Sequence, residues 1–493
     1  MMTFAELTGA RWAGFRRSRG LVAGLAVAML IPLALGLLFA AGSRSSCTQG
    51  AVVDGPCPPP PLGPGGEAVE DRFFFVHRSL DGDGTITARV GPMTGRIKEP
   101  PPPGDPVGPP PVPGVAPWSQ AGLMIKSEVR QGAPYVAVLT AHGHGVRMQY
   151  DFTGDLAGSA AQGPRWLRLT RAGKTITGYE SGDGRRWSEI GRARLAGPAR
   201  IGLFAASPGA LTVEGLGAAQ RFSEATATFD RIGVTGASSG WRQDDVGVVF
   251  EQDGVTPHHP GGLVRSGDTM TLTGVGAIGP VTAGVRLEHL LTGLPLGLLA
   301  LVVVGSLLGA SRTRPGEEEA GGRVVAAKAV VAAGAGFAGG LVVAAVALLA
   351  GEPILRAGGN HPLPVSPLTE VRVIVGVAVF WAVVAALAVG VAALVRRRVV
   401  AIGVTALLVV APALAAVAVP GGVAGWLHAL TPAAGYAVTQ TIPAYPQVAG
   451  HYVPATGFYP LPFWAGLAVA CGYAVLALLL AVRRAERATA VPA

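Results

Sequence analysis

The sequence predicts an α-helical polytopic membrane protein with six transmembrane helices and an all-β sandwich inserted between helices 1 and 2. Three observations carry that prediction. Half of the residues are hydrophobic and only 14% are charged, against about 25% in an ordinary soluble protein. The charge deficit is confined to long apolar runs at the N-terminus and after residue 286. Between them, residues 42–285 alternate short apolar stretches with turn residues, the pattern of an extramembrane β domain.

A helix needs about 20 apolar residues to cross a bilayer. Six segments meet that requirement: 21–41, 290–310, 329–350, 371–395, 399–419 and 462–482. Pro32, Pro295 and Pro412 fall inside them and are tolerated in membrane helices. Residues 11–41 also have the basic start, apolar core and small residues of a signal peptide, but the run is longer than a usual h-region and favours an uncleaved span.

Orientation follows from the flanking cations. Arg11, Arg16, Arg17 and Arg19 precede the first span, and Arg312, Arg314, Arg323 and Lys328 lie between the second and third. Arg396, Arg397 and Arg398 separate the fourth and fifth, and Arg483, Arg484 and Arg487 follow the sixth. The loops 351–370 and 420–461 contain Arg356 alone. The positive-inside rule then puts both termini in the cytoplasm, residues 42–285 outside, and the chain in the plasma membrane. The net charge of +9 follows this topology, which argues against nucleic acid as a partner. With 42–285 outside, Cys47 and Cys57 are candidates for a disulfide, two free thiols being the alternative.

In the insert, Pro-rich runs at 57–66 and 99–114 read as stiff extended spacers. Short strands follow one another, "AGLMIKSEV", "YVAVLTAH", "RWLRLTRAG" and "ARIGLFAAS" among them, and "SGDGRRW" reads as a hairpin turn. Trp118, Trp166 and Trp187 are either sugar-stacking surfaces or sandwich core. His142 and His144 lack an identifiable third metal ligand, "DGDG" (81–84) reads as a calcium loop or a tight turn, and "AGKT" (172–175) lacks the first glycine of a phosphate loop. No catalytic, cofactor-binding or metal-ligating set emerges, and no enzyme is expected in this chain.

The run from "WSQAGLMIKSE" through "RWLRLTRAGKTITGYESGDGRRWSEIG" to "ARIGLFAAS" resembles concanavalin-like jelly rolls of extracellular carbohydrate-associated proteins, over roughly residues 66–235. That resemblance implies a jelly-roll fold, with an extracellular glycan as a candidate ligand.

The remainder, residues 3–41 and 286–493, resembles permeases of ABC-2 type exporters, especially actinobacterial ones. The carriers are "ARWAGFRRSRG", "GRVVAAKAVV" and the terminal "LTPAAGYAVTQTIPAYP…GFYPLPFWAGLAVACGYAVLALLLAVRRAER". The acidic Glu317–Glu319 in 311–322 depart from that family's usually basic loop. The resemblance implies a separate ABC ATPase subunit holding ATP and Mg2+, contacted through Trp12, Phe15, Arg16, Arg323 and Lys328. It also implies a second permease copy, identical or related, and a short re-entrant outer element within 420–461, with Pro432, Gly435, Tyr436 and Gln440 as candidate gate residues. Residues 3–19 mix aromatic and basic residues in a way that suits a helix on membrane lipids. Few ionisable groups stand at membrane depth, which argues against ion-coupled transport and points to an apolar or amphipathic substrate. The competing expectation is a membrane-anchored glycan-binding sensor or adhesion protein.

Overall fold

The structure, a computed structural model, describes residues 3–49, 52–99, 109–214, 217–247, 262–311, 321–395 and 397–489. Arg312, Arg314, Glu317–Glu319 and Arg396 of the predicted cytoplasmic loops lie outside the described residues, as does most of the second Pro-rich run. The chain divides into two units: Met1–Ser45 with Val285–Ala444 and Tyr452–Ala493, and Ser46–Gly284 with Tyr445–His451.

The first unit is helical: α1 (Phe4–Arg17), α2 (Arg19–Gly42), α3 (Leu294–Gly309), α4 (Gly321–Ala357), α5 (Pro367–Val395), α6 (Arg398–Val409), α7 (Ala411–Ala415), α8 (Gly421–Leu430) and α9 (Phe463–Thr489). A capping box starts α1: Thr3 accepts from the Glu6 amide, and the Glu6 carboxylate accepts from the Thr3 amide. Ser18 ends α1 and caps α2 through the Leu21 amide, so a single residue separates the two helices.

Five helical stretches are long and apolar enough to cross a membrane: Arg19–Gly42, Leu287–Gly309, Gly321–Ala357, Pro367–Val395 and Phe463–Arg487. The fifth segment expected from the sequence, 399–419, is not one continuous helix. It breaks into α6 and α7 at Val410. The 12 residues of α6 reach about 18 Å, short of the ~30 Å hydrocarbon core. Pro412 supplies the break, since it has no N–H for the carbonyl four residues back.

The helices meet through small residues. A Cβ on Gly340 of α4 would stand 2.9 Å from the Trp381 Cβ of α5, and one on Gly305 of α3 would stand 2.9 Å from the Ala385 carbonyl. Glycine is what permits these close approaches. Trp381 and Phe380 are fully buried in the resulting core.

The second unit is a large β-sandwich. Its organising element is the 18-residue strand Phe73–Val90. The first half pairs with Ala199–Ala206 and Arg242–Val246, the second with Arg165–Ala172 and Ser223–Ala237. From the first half the order runs through Ala199–Ala206, Gln120–Lys126, Tyr135–Ala141, Gly145–Tyr150 and Gly154–Ala157. From the second half it runs through Arg165–Ala172, Thr175–Ser181 and Ser188–Arg194. The two halves close on a core of Val76, Ile86, Leu123, Val138, Met148, Leu167 and Leu169. The exposed "DGDG" is therefore the midpoint of this strand, rather than a tight turn.

Alternation puts the remaining side chains of the first half on a second face. There Phe73, Phe75, Met124, Tyr135, Phe152 and Phe204 form another buried cluster with Val69, Trp118 and Ile278. Both faces being covered, Gln120–Lys126 is buried at every position. "SGDGRRW" does form a hairpin turn between Thr175–Ser181 and Ser188–Arg194. Gly184 takes φ +73° there, and a Cβ on it would meet the Trp166 ring at 2.7 Å. The Asp183 carboxylate accepts from the Arg185 and Arg186 amides, which brings its pKa down to about 2.

Candidate functional site

Within the segment "LTPAAGYAVTQTIPAYP", Pro432–Thr439 folds as a 3-10 helix after α8. Thr431 caps it by accepting from the Ala433 amide, and Pro432 stands where no N–H is needed. All eight residues are buried, so this uncharged stretch is interior structure. The candidate gate residues Pro432, Gly435 and Tyr436 pack inward. A Cβ on Gly435 would collide with the Phe380 ring, and the Tyr436 ring meets Phe380 edge-on at 5.2 Å between centroids.

Gln440 ends the helix and ties three strands of chain together. Its backbone carbonyl accepts from Arg372 of α5 at 2.5 Å, its Oε1 from the Tyr459 amide at 3.2 Å, and its Nε2 donates to the Ile442 carbonyl at 2.8 Å. The next residue, Thr441, donates its hydroxyl to Glu288 Oε2. Glu288 also faces Arg286, whose Nε lies 3.2 Å from Oε1, and Arg286 Nη2 donates to the Thr456 carbonyl. Both side chains are buried, and the guanidinium lies over the Phe458 ring at 4.8 Å.

This cluster was not in the sequence-based set. Glu288 stands just ahead of the predicted span 290–310. The structure joins it, through the 3-10 turn Leu287–Leu291, to an apolar stretch running to Gly309. A pocket of about 180 Å³ opens beside it, lined by Arg286, Glu288, His289, His428, Tyr436 and Tyr459 among others.

The five candidate coupling residues divide. Trp12 and Phe15 of α1 stack at 5.8 Å between centroids, with Phe15 buried and Trp12 and Arg16 exposed. Arg323, at the start of α4, is also exposed. Lys328 is buried instead, its ammonium donating to the Gly309 and Ser311 carbonyls at 3.2 and 2.6 Å, where it satisfies the C-terminal end of α3. Leu7 of α1 forms a small buried cluster with Val324 and Ala327 of α4.

In the β unit, Cys47 and Cys57 form a disulfide with Cα atoms 4.8 Å apart. Trp118 is buried, takes φ +64° and stacks on His144 at 3.6 Å, with Arg147 on its ring. Trp187 lies under the Arg168 guanidinium at 3.8 Å. His142 and His144 sit in the turn after Tyr135–Ala141, and no group of three potential metal-ligating residues occurs among the described residues. A pocket of about 210 Å³ adjoins Trp118, lined by Glu70, Arg72, Gln120, Ser207 and Arg221. Gln120 is buried, and its Oε1 has no hydrogen-bond partner among the described residues.

No family model matches the sequence. No curated protein matches it either. Solved structures do match in part. A functionally unknown protein from Saccharomyces cerevisiae is 14% identical, covers 33% of this chain and 74% of its own, and has a TM-score of 0.21. Scytalido-glutamic peptidase, solved with a transition state analog inhibitor, is 10% identical, covers 43% of this chain and 100% of its own, and has a TM-score of 0.26. The GH43 protein BlXynB from Bacillus licheniformis is 14% identical, covers 33% of this chain and 27% of its own, and has a TM-score of 0.19.

Proposed function

We propose that this chain is the membrane-spanning permease subunit of an ABC-type exporter, moving its substrate across the plasma membrane with ATP hydrolysed by a separate subunit. In this reading both termini are cytoplasmic, residues 42–285 are extracellular, and α6 with α7 serves as a kinked fifth crossing. A second permease copy completes the pathway, and ATP and Mg2+ bind on the partner ATPase.

The observation that carries the reading is the packing of α1 on the start of α4. Leu7, Val324 and Ala327 bury one another, so the two segments that the family resemblance assigns to the ATPase form one surface. Trp12, Arg16 and Arg323 remain exposed on these two segments. Because α1 meets α2 at Ser18 and α4 runs 37 residues without interruption, a push on this surface is delivered directly to two membrane helices. Lys328 acts within the unit, locking α4 to the end of α3. Affinity purification of the full chain from native membranes tests the proposal. An ABC ATPase subunit is expected to copurify; its absence, under conditions that retain known transporters, sinks the reading.

The Gln120 pocket supports a second reading, a membrane-anchored glycan-binding sensor or adhesion protein. That reading requires the full chain to bind specific glycans and to lose the binding in Gln120→Leu. A glycan array with no hit removes it.

A further inference from the structure

The pocket beside Arg286 contains more hydrogen-bonding capacity than its surroundings use. Arg286 and Tyr436 are 4% and 3% exposed, yet Arg286 Nη1 and the Tyr436 hydroxyl have no hydrogen-bond partner among the described residues. Buried donors without partners are costly and uncommon. The two histidines have settled roles. His289 Nδ1 accepts from the Arg286 amide at 3.2 Å, so the neutral ring has its proton on Nε2. His428 Nδ1 donates to the Ala424 carbonyl at 2.8 Å, leaving Nε2 as an acceptor. The residues lining the pocket therefore carry a guanidinium N–H, a phenol and one imidazole N–H, beside the acceptors Glu288 Oε1 and His428 Nε2.

Two further features fit an occupant. Gly457 takes φ +79°, and a Cβ there would lie 3.1 Å from Arg286 Nη2, so glycine leaves the flank of the guanidinium uncrowded. The rest of the wall includes Leu291, Leu294, Pro295, Ala413 and Ala416, an apolar lining continuous with the polar end. The volume of about 180 Å³ equals several waters at about 30 Å³ each, enough for a phosphate-sized group.

We infer that this pocket binds an oxyanion, a phosphate monoester or similar group at the head of an amphipathic molecule. The head is held by Arg286 Nη1, the Tyr436 hydroxyl and His289 Nε2, with the apolar part against Leu291 and Leu294. Glu288 tempers the site: its carboxylate neutralises Arg286 and keeps the anion from binding irreversibly tightly. The inference rests on the exporter reading only in calling this molecule the cargo; the binding itself does not require transport.

The test is native mass spectrometry of the full chain in dodecyl maltoside, titrated with dioleoyl phosphatidic acid, dioleoyl phosphatidylcholine and inorganic phosphate. Phosphatidic acid is expected to bind about tenfold more tightly than phosphatidylcholine, the weight of one charge-assisted hydrogen bond. Tyr436→Phe, which keeps the ring, should weaken phosphatidic acid about threefold to fivefold. Arg286→Lys should weaken it about tenfold. Glu288→Gln should tighten it severalfold by removing the competing negative charge, whereas a merely structural carboxylate would leave the affinity unchanged or lower. Displacement of the lipid by inorganic phosphate at matching concentration assigns the site to a free oxyanion; failure to displace assigns it to an amphiphile's head. Equal binding of the two lipids, or unchanged affinity in both Tyr436→Phe and Glu288→Gln, overturns the inference. ATPase copurification plays no part in this readout, so the two readings fail separately.

Discussion

Among the described residues, a buried ion pair stands in the β unit and another in the helical unit, and the two pairs are used differently. In the β unit, Lys126 and Asp71 are completely buried, 2.7 Å apart. The ammonium also donates to the Ala133 carbonyl at 2.8 Å and lies 5.5–5.7 Å from the rings of Phe73, Tyr135 and Phe152. The Gly132 amide donates to the same carboxylate oxygen, Asp71 Oδ2, at 2.9 Å. In the helical unit, Arg286 and Glu288 are also buried, but Arg286 lines a pocket and its Nη1 has no hydrogen-bond partner among the described residues. Each carboxylate keeps one oxygen without a hydrogen-bond partner among the described residues, so the anions do not distinguish the pairs. The cations do: an ammonium enclosed by its own fold is structural, and a guanidinium with a spare N–H beside a cavity is available to a ligand.

Four experiments break or sharpen that contrast. Lys126→Met should have the largest effect, about 3–5 kcal/mol, because it leaves Asp71 as an unpaired buried charge. Hydrogen exchange in Gln120–Lys126 reads it, and adding Asp71→Asn should restore part of the loss; full protection in the single variant would make the pair dispensable. Next, Cys47→Ser should cost about 2–3 kcal/mol from the short loop it opens. The measurement is thermal unfolding with and without reductant, which should affect only the unsubstituted chain.

Gly435→Ala should destabilise the helical unit by about 1–3 kcal/mol, since Phe380 must move to admit the methyl group. If the exporter reading holds, transport should change as well while assembly persists; an unaltered melting temperature would show that the 3-10 helix yields easily. The smallest effect concerns pH. Burial holds the His77 imidazole below its ordinary pKa, despite Asp244 at 2.7 Å. The unfolded chain therefore takes up this proton first. The contribution is intact above the ordinary imidazole value of about 6.5 and is lost as pH falls below it. His77→Gln should flatten that slope in unfolding experiments at pH 5 to 7.

The parts legible in the sequence were those set by local pattern. Apolar runs marked α2, α4, α5 and α9, because a bilayer demands length and composition that neighbours cannot supply. Alternation and turn glycines marked the sandwich strands, and the hairpin at Gly184 could be read from its turn residues. Pro412 was visible too, but not whether its helix would bend or break there. Lys328 was read as a surface cation, since no local signal tells an exposed lysine from one that closes the end of another helix. The Arg286 cluster was hidden for a similar reason. Its partners, Glu288 and Thr441, are 153 residues apart, and Glu288 sits just outside a hydropathy window.

By itself, then, the sequence determined the division into an apolar helical part and an inserted β part, the approximate positions of the long apolar helices, and the cysteine pair at the insert's entrance. These depend on interactions between near neighbours or on the solvent each segment tolerates. Only the tertiary structure decided which charges are buried together, that the 3-10 helix Pro432–Thr439 is interior and packs against Phe380, and that a donor-rich pocket adjoins it. Burial and hydrogen-bond satisfaction are properties of distant chain segments brought into contact, and no single stretch of sequence encodes them.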